Sequence, residues 1–411
     1  MARNALIFSP GFDGHRQVYV FVIAHILKEL DFNIYIAGNT KQKISNSFYI
    51  DKLNENPEIN FIDTSKYAEG GLDITIQEFL ELQNNLKTEL TIFPEADHHL
   101  KLLASQISSK KNRLRGRTTG IFMRPFYFYR QSAGVLDKLR FLKHFRSRVK
   151  KDENVFYDFF LKRFHLLDTS LCIDENFVTH HPYLKWLPDV FQQYAESIVK
   201  DEKSEDRIWI EKLDKFKENN KDKFHFLYFG TSQYRRGYDI LLNLAQKTGG
   251  CFIHCGLIDN KVQYDYDIHN LRASLSKDGH LFETNQYLAD PLCIEHFFKS
   301  VSHLVLPYRQ YYGSSGVMLQ ALDLGIPVLS PDSGIIGYRI KNHNLGLTYK
   351  DDGFSSLETQ FDLFKNIDPL SFKKSVNTYM DFQTIEQLKS VLINSFSGSH
   401  NTVLQPVLQK A

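Results

Sequence analysis

The chain has 411 residues, 42% of them hydrophobic and 24% charged, and a net charge of +2 at neutral pH. A chain of this length and composition folds with an ample core divided over two or three domains. Its four cysteines do not make a disulfide framework, and no run reaches the roughly 20 apolar residues of a membrane span.

Ala5–Ser9 is an apolar strand, Gly11 to His15 a glycine-bearing loop, and Val18–Leu30 an amphipathic helix leading to a second strand, Asn33–Ala37. This βαβ opening predicts a doubly wound parallel sheet. Met1-Ala-Arg-Asn runs straight into the strand, and His25 and Lys28 interrupt the apolar helix, so no signal peptide is read and a reducing cytoplasm is the expected compartment. Further strands are expected at Ile59–Ile62, Leu90–Phe93, Thr118–Met123 and Leu166–Ile173, with helices at Thr75–Leu86 and Leu100–Ile107. The turn after Leu90–Phe93 reads Pro-Glu95-Ala-Asp97-His98-His99. Residues just past the carboxyl ends of strands line the ligand crevice of an open α/β sheet. Glu95, Asp97 and His98 are therefore candidates for chemistry, and Arg124, at the end of the next strand, is a candidate acceptor contact. The same letters also fit a plain helix start capped by Asp97.

Between Lys101 and Arg163 stand 17 Lys or Arg against four acids. Within that stretch Leu136, Leu139, Leu142 and Phe145 share one helical face among cations. That is the pattern of a helix lying on an anionic membrane surface, the other reading being a solvated face on a core helix. No nucleic-acid-binding motif accompanies the charge, so no nucleic acid partner is expected.

The polar stretch Lys200–Lys223 reads as a surface helix or linker, after which the α/β pattern restarts. Phe224–Phe229 is a strand, Gly230–Gly237 a loop and Tyr238–Ala245 a helix. Cys251–Cys255 is a strand whose thiols are expected to be buried rather than metal-bound. Leu281–Glu283 is a strand, Pro291–Ser300 a helix, and His303–Leu306 a strand that enters the stretch Tyr308–Gly337. There a Tyr- and Gly-rich loop feeds a helix, Val317–Leu324, through Ser314-Ser315-Gly316. Free backbone N–H groups at the positive end of such a helix suit a phosphate, and a helix merely capped by Ser is the plain alternative. Gly325 ends the helix, Ile326–Leu329 is a short buried strand, a second Gly/Ser loop follows, and Phe372–Lys389 is helical by pattern.

Three spaced features, GTSQYRRGYDILLNLA from Gly230, FIHCG from Phe252 and GSSGVMLQALDLGIPVL from Gly313, resemble the carboxyl-terminal domain of glycosyltransferase family 4, retaining enzymes of GT-B architecture. The match covers about residues 224 to 350, and the amino-terminal half matches as a βα pattern with a glycine in its first loop. The resemblance implies an α/β, GT-B fold with two Rossmann-like doubly wound domains facing a cleft. Residues 1–195 would be the acceptor domain, with the basic segment 101–163, and 196–370 the nucleotide-sugar domain. Residues 371–411 would form a helical segment whose C-terminal helix returns to the N-terminal domain.

It further implies a nucleoside-diphosphate sugar as donor and a glycan or lipid-linked acceptor, with no cofactor and no metal, since no Asp-x-Asp arrangement that demands one is read. Arg236 falls where the family places its phosphate-binding Lys, with Arg235 as a weaker candidate beside it. Gly14 lies in the first loop, and Gly313, Ser314, Ser315 and Gly316 border the diphosphate. Tyr312 and Gln320 occupy the places of the family's two glutamates, at the transferred sugar and at the ribose. A Gln still accepts a ribose O–H, and a Tyr supplies no anion. In this family the donor phosphate is thought to help deprotonate the acceptor, so no protein nucleophile is required. The leading expectation is a retaining hexosyltransferase of cell-surface polysaccharide assembly, cytoplasmic or peripheral at the inner membrane face. The rivals are a catalytically impaired GT-B binding or scaffolding protein, prompted by the two missing glutamates, and a sugar-nucleotide epimerase.

Overall fold

A computed structural model describes residues 3–9, 11–12, 15–39, 48–64, 74–106, 111, 113–123, 166–199, 205–288 and 290–398. Gly14, Arg124 and the basic helical face from Leu136 to Phe145 lie outside the described residues. The chain forms two compact units, one of residues 1–195 with 383–410, the other of residues 196–382.

The first unit is built on seven parallel strands: β1 (Arg3–Phe8), β2 (Phe32–Gly38), β3 (Ile59–Asp63), β4 (Leu90–Phe93), β5 (Arg117–Phe122), β6 (Thr169–Cys172) and β7 (Lys185–Trp186). Their order is β3-β2-β1-β4-β5-β6-β7. The chain thus winds outward from β1 in one direction and then, from β4, in the other. In β1 the run Ala5–Phe8 is 0% exposed at every residue because helices cover both faces of a parallel sheet, which is why it reads as continuous rather than alternating hydrophobicity. Each of its large side chains contributes roughly 1.5–3 kcal/mol on burial. The register sets Ile7 beside Ile36 on one flank and Ile92 on the other. Thr75 caps the helix Ile76–Asn85 in a reciprocal box with Glu78, as a Thr three residues ahead of a Glu does. The helix Ile385–Ser397 belongs to this unit: Lys389 pairs with Glu29 at 2.6 Å, and Arg117 Nη1 donates to the Phe396 carbonyl at 2.7 Å.

The second unit carries two three-stranded parallel sheets. One is β8 (His225–Phe229), β9 (Cys251–Cys255) and β10 (Leu281–Glu283), in the order β10-β9-β8. The other is β11 (Leu304–Val305), β12 (Val328–Pro331) and β13 (Gly346–Tyr349), in sequence order. β8 lies alongside β11, so the spatial series is 10-9-8-11-12-13, the winding of the first unit repeated. All four cysteines are buried and free.

Of the two readings of the polar stretch 200–223, the surface helix is the one observed: Ile208–Asn219 is helical with one buried residue, Leu213. Two expectations need correction. The helical run 372–389 is two helices, Lys373–Met380 in the second unit and Ile385–Ser397 in the first, because Thr384 in extended conformation caps a new helix. The second Gly/Ser loop is the N-terminus of a further helix, Gly334–His343.

Candidate functional site

In a doubly wound sheet, ligands bind where the strand order reverses, at the carboxyl ends. In the second unit that place is between β8 and β11, and two loops leave it, 230–237 and 307–315. The first turns back on itself at Gly230, whose φ of +103° favours glycine and whose added Cβ would sit 2.5 Å from Arg236 Nη1. The missing side chain makes the room into which the Arg236 guanidinium folds. Arg236 Nη2 donates to the Phe229 carbonyl at 2.9 Å and to Tyr308 Oη at 3.4 Å, and the guanidinium carbon lies 5.6 and 5.7 Å from the Tyr228 and Tyr308 ring centres. Burial pushes the Tyr228 phenol up to about 12, so this ring faces the cation as a neutral phenol.

Tyr308 carries the connection onward. Its Oη lies 3.3 Å from Ser315 Oγ, and Ser315 Oγ accepts from the backbone N–H of Met318 as N-cap of the helix Gly316–Asp323. Arg236, Tyr308, Ser315 and the helix start thus form one bonded series. A second strap joins the same loops: the Arg309 guanidinium takes both oxygens of Asp239 at 2.6 Å, and its backbone N–H donates to the Arg235 carbonyl at 2.9 Å. Arg235 is exposed and stands 5.1 Å over the Tyr311 ring. Tyr311 Oη donates to the Ser314 carbonyl at 2.7 Å. Gly313 is buried, Gly316 is exposed at the helix start, and Tyr312 is half-buried with its Cα against Gly334. Gln320 lies within the helix, its amide 3.5 Å from the Glu196 carboxylate. The structure therefore gathers Arg235, Arg236, Tyr312, Gly313, Ser314, Ser315 and Gly316 around two interlocked loops, while Gln320 lies a turn further along the helix.

The groups that sequence reading did not single out are Tyr228, Tyr308, Arg309 and Arg339. Tyr308 lies within the stretch Tyr308–Gly337, but a tyrosine after an apolar strand reads as core. Arg339 carries no sequence signal, because its 0% exposure is set by packing. The sequence does contain one Asp-x-Asp triplet, Asp265-Tyr266-Asp267. Asp265 caps the helix Tyr266–Lys277 through the Ile268 N–H and also accepts from the Tyr234 hydroxyl, so the triplet is a helix start.

In the first unit, Glu95 is 1% exposed. His15 Nε2 lies 2.7 Å from its Oε1, Arg16 Nε donates to its Oε2 at 2.5 Å, and His98 Nε2 is 3.4 Å from Oε2. Burial raises the pKa of this carboxyl, but the bond from His15 and the charges of His15, Arg16 and His98 outweigh burial and hold it well below the carboxylate range. Glu95 is thus an anchor that fixes the first turn of the helix His15–Glu29, and the His15 side chain is 46% exposed. Asp97 does not cap the following helix, whose N-cap is His99 without a side-chain bond. Its carboxylate accepts from the Met123 N–H at 2.6 Å and pins the end of β5, one residue before Arg124. His99 is buried between Phe8 and Phe93 with no partner for either ring nitrogen among the described residues, and burial lowers its pKa to about 3.

No family profile matches the sequence, and no curated protein matches it. Solved structures do. The Anabaena protein Alr3699/HepE in complex with UDP-glucose is similar with a TM-score of 0.61 at 11% identity, over 96% of this chain and 99% of that one. WaaG, described as a glycosyltransferase involved in lipopolysaccharide biosynthesis, gives 0.57 at 13%, over 96% and 100%. The N-terminal domain of a Candida albicans trehalose-6-phosphate phosphatase gives 0.62 at 10%, over 97% of each chain. At these identities the likeness is one of fold. The chain has the GT-B fold, with two Rossmann-like units.

Proposed function

We propose that the chain is a retaining glycosyltransferase, of hexosyltransferase type and similar to family 4, that moves a sugar from a nucleoside-diphosphate sugar to a glycan or lipid-linked acceptor in cell-surface polysaccharide assembly. The observation that carries this is the series Arg236–Tyr308–Ser315–helix start at the switch point of the second unit. It holds a permanent cation and free N–H groups beside each other, as a diphosphate leaving group needs. The fold shared with HepE, solved in complex with UDP-glucose, and with WaaG, a glycosyltransferase involved in lipopolysaccharide biosynthesis, supports the same reading. In this proposal cations and helix-end donors neutralise the diphosphate, and neither cofactor nor metal is assigned. Arg235 supplies further charge from the rim, Tyr312 faces the sugar, and Gln320 accepts from the ribose. In the first unit Glu95 and Asp97 act as positioning groups, Glu95 orienting His15 and Asp97 the strand end before Arg124, while His98 is offered to the substrate.

The test is incubation of the purified chain with a panel of UDP-, GDP- and ADP-sugars, with donor hydrolysis as readout and Arg236→Ala as control. Slow hydrolysis of one donor, lowered at least about tenfold by the substitution, is expected. Turnover of no donor, with binding indifferent to Arg236→Ala, refutes the reading. Tyr312 and Gln320 in place of carboxylates favour a second reading, a GT-B protein that binds a nucleotide without transferring sugar. Binding lost in Arg236→Ala without any turnover supports that one.

A further inference from the structure

Beneath the loop that borders the candidate diphosphate site lies a fully buried arginine. Arg339, in the second turn of the helix Gly334–His343, is 0% exposed, and its Nη1 donates to Ser314 Oγ at 2.6 Å. The N-terminus of that helix is pressed against the same loop: Gly334 has φ +68°, and a Cβ there would lie 2.8 Å from the Tyr311 carbonyl oxygen and 2.9 Å from Tyr312 Cα. Ser314 is held at its other end as well, because Tyr311 Oη donates to its carbonyl at 2.7 Å. With its carbonyl engaged and its hydroxyl oxygen already accepting from a guanidinium, the polar group Ser314 has left to offer from its side chain is the hydroxyl hydrogen. No acceptor for that hydrogen is found among the described residues.

A hydroxyl that accepts from a cation is polarised and becomes a stronger donor on its other side. In a site removed from water the effect grows, because the charge is poorly screened. We propose that Ser314 and Arg339 form a charge relay for the diphosphate: Arg339 is a positioning residue that never touches the ligand, and the Ser314 hydroxyl donates to an anionic phosphate oxygen with strength lent by the guanidinium behind it. The inference rests on the reading of this loop as a nucleoside-diphosphate site, and it assigns that site a second cation besides Arg236. Because Arg339 is fully buried, its charge acts on that hydroxyl with little screening; an exposed arginine would lend far less to it through solvent.

The experiment is calorimetric titration of the full chain with UDP, GDP and ADP, with inorganic pyrophosphate and the parent nucleosides in parallel. The proteins are the wild type, Ser314→Ala, Ser314→Thr, Arg339→Gln, the double variant Ser314→Ala/Arg339→Gln, and Arg236→Gln. Expected is a loss of roughly tenfold or more in diphosphate affinity for Ser314→Ala, with nucleoside binding unchanged and most of the affinity kept by Ser314→Thr, which retains the hydroxyl. Arg339→Gln should weaken diphosphate binding in the Ser314 background and add little once Ser314 is Ala, since the relay acts through that one hydroxyl. If Arg339→Gln costs the same with and without the hydroxyl, or Ser314→Ala binds like wild type while Arg236→Gln does not, the relay is overturned and the diphosphate site stands. If the wild type binds no diphosphate, the site itself falls and the relay with it. Should Arg339→Gln fail to fold by circular dichroism, the Ser314→Ala and Ser314→Thr pair still overturns the relay if both bind diphosphate like wild type, or if Ser314→Thr loses as much affinity as Ser314→Ala.

Discussion

Two glycines in one conformation separate backbone strain from loop docking. Gly237 and Gly249 both adopt left-handed geometry, with φ of +71° and +64°. Around Gly249 an added Cβ meets nothing within 4 Å, whereas at Gly237 it would stand 2.2 Å from the Pro307 carbonyl oxygen and 2.7 Å from Pro307 Cγ. Alanine at either position carries the left-handed penalty of roughly 1–2 kcal/mol. At Gly237 the neighbour is backbone that leads directly into Tyr308, so the loops must part by an ångström or more, at a further cost of about 1–3 kcal/mol. Gly237→Ala should therefore destabilise the second unit by about 2–5 kcal/mol and Gly249→Ala by about 1–2. In scanning calorimetry each kcal/mol lowers the Tm of a unit of this size by about 2–4 °C. Parting the loops also pulls Arg236 away from Tyr308, so diphosphate affinity should fall in Gly237→Ala and hold in Gly249→Ala. Equal destabilisation of the two variants with equal nucleotide binding would refute the claim that the loop contact at Pro307 builds the site.

The Glu95 carboxyl predicts a pH signature. Its folded pKa lies below the ordinary 4.5, so its ion pairs stabilise the fold above 4.5, and that contribution is lost as pH falls toward the folded value. Glu95→Gln should thus lower the urea midpoint at neutral pH, with the gap to wild type closing on the acid side of 4.5; a gap that is constant with pH contradicts the ion-pair account. The basic stretch 101–163 is proposed to hold the protein against an anionic membrane surface. Co-sedimentation with phosphatidylserine vesicles should be strong at low salt and abolished at high salt, and no retention at low salt removes the membrane assignment.

Much of the fold was legible because parallel strands buried on both faces announce themselves as short apolar runs. FHFLYF at 224–229, CFIHC at 251–255 and LTIF at 90–93 all fall on observed strands. The two-residue strand Lys185–Trp186 was not legible, since it is a strand by virtue of its neighbour, pairing Trp186 with Cys172. The helix Gly334–His343 was hidden for a related reason. Its start, Ser-Gly in Pro-Asp-Ser-Gly, has the composition of a turn, and what makes Gly334 a helix start is the close approach of Tyr311 and Tyr312.

By itself the sequence determined the repeated α/β winding and placed the loops 230–237 and 307–315 at strand ends, because hydrophobic period and glycine position are local properties. It also set Tyr312 and Gln320 at the two positions where the resemblance to glycosyltransferase family 4 leads one to expect glutamates. Tertiary structure alone decided that Arg236 folds into the space left by Gly230 and bonds Tyr308, that Arg339 reaches Ser314 from beneath, and that Glu95 serves His15 and Arg16. Each of these joins residues far apart in the chain, and a charge or hydroxyl acquires its role from what buries it and what it is bonded to. Neither is written in the local pattern.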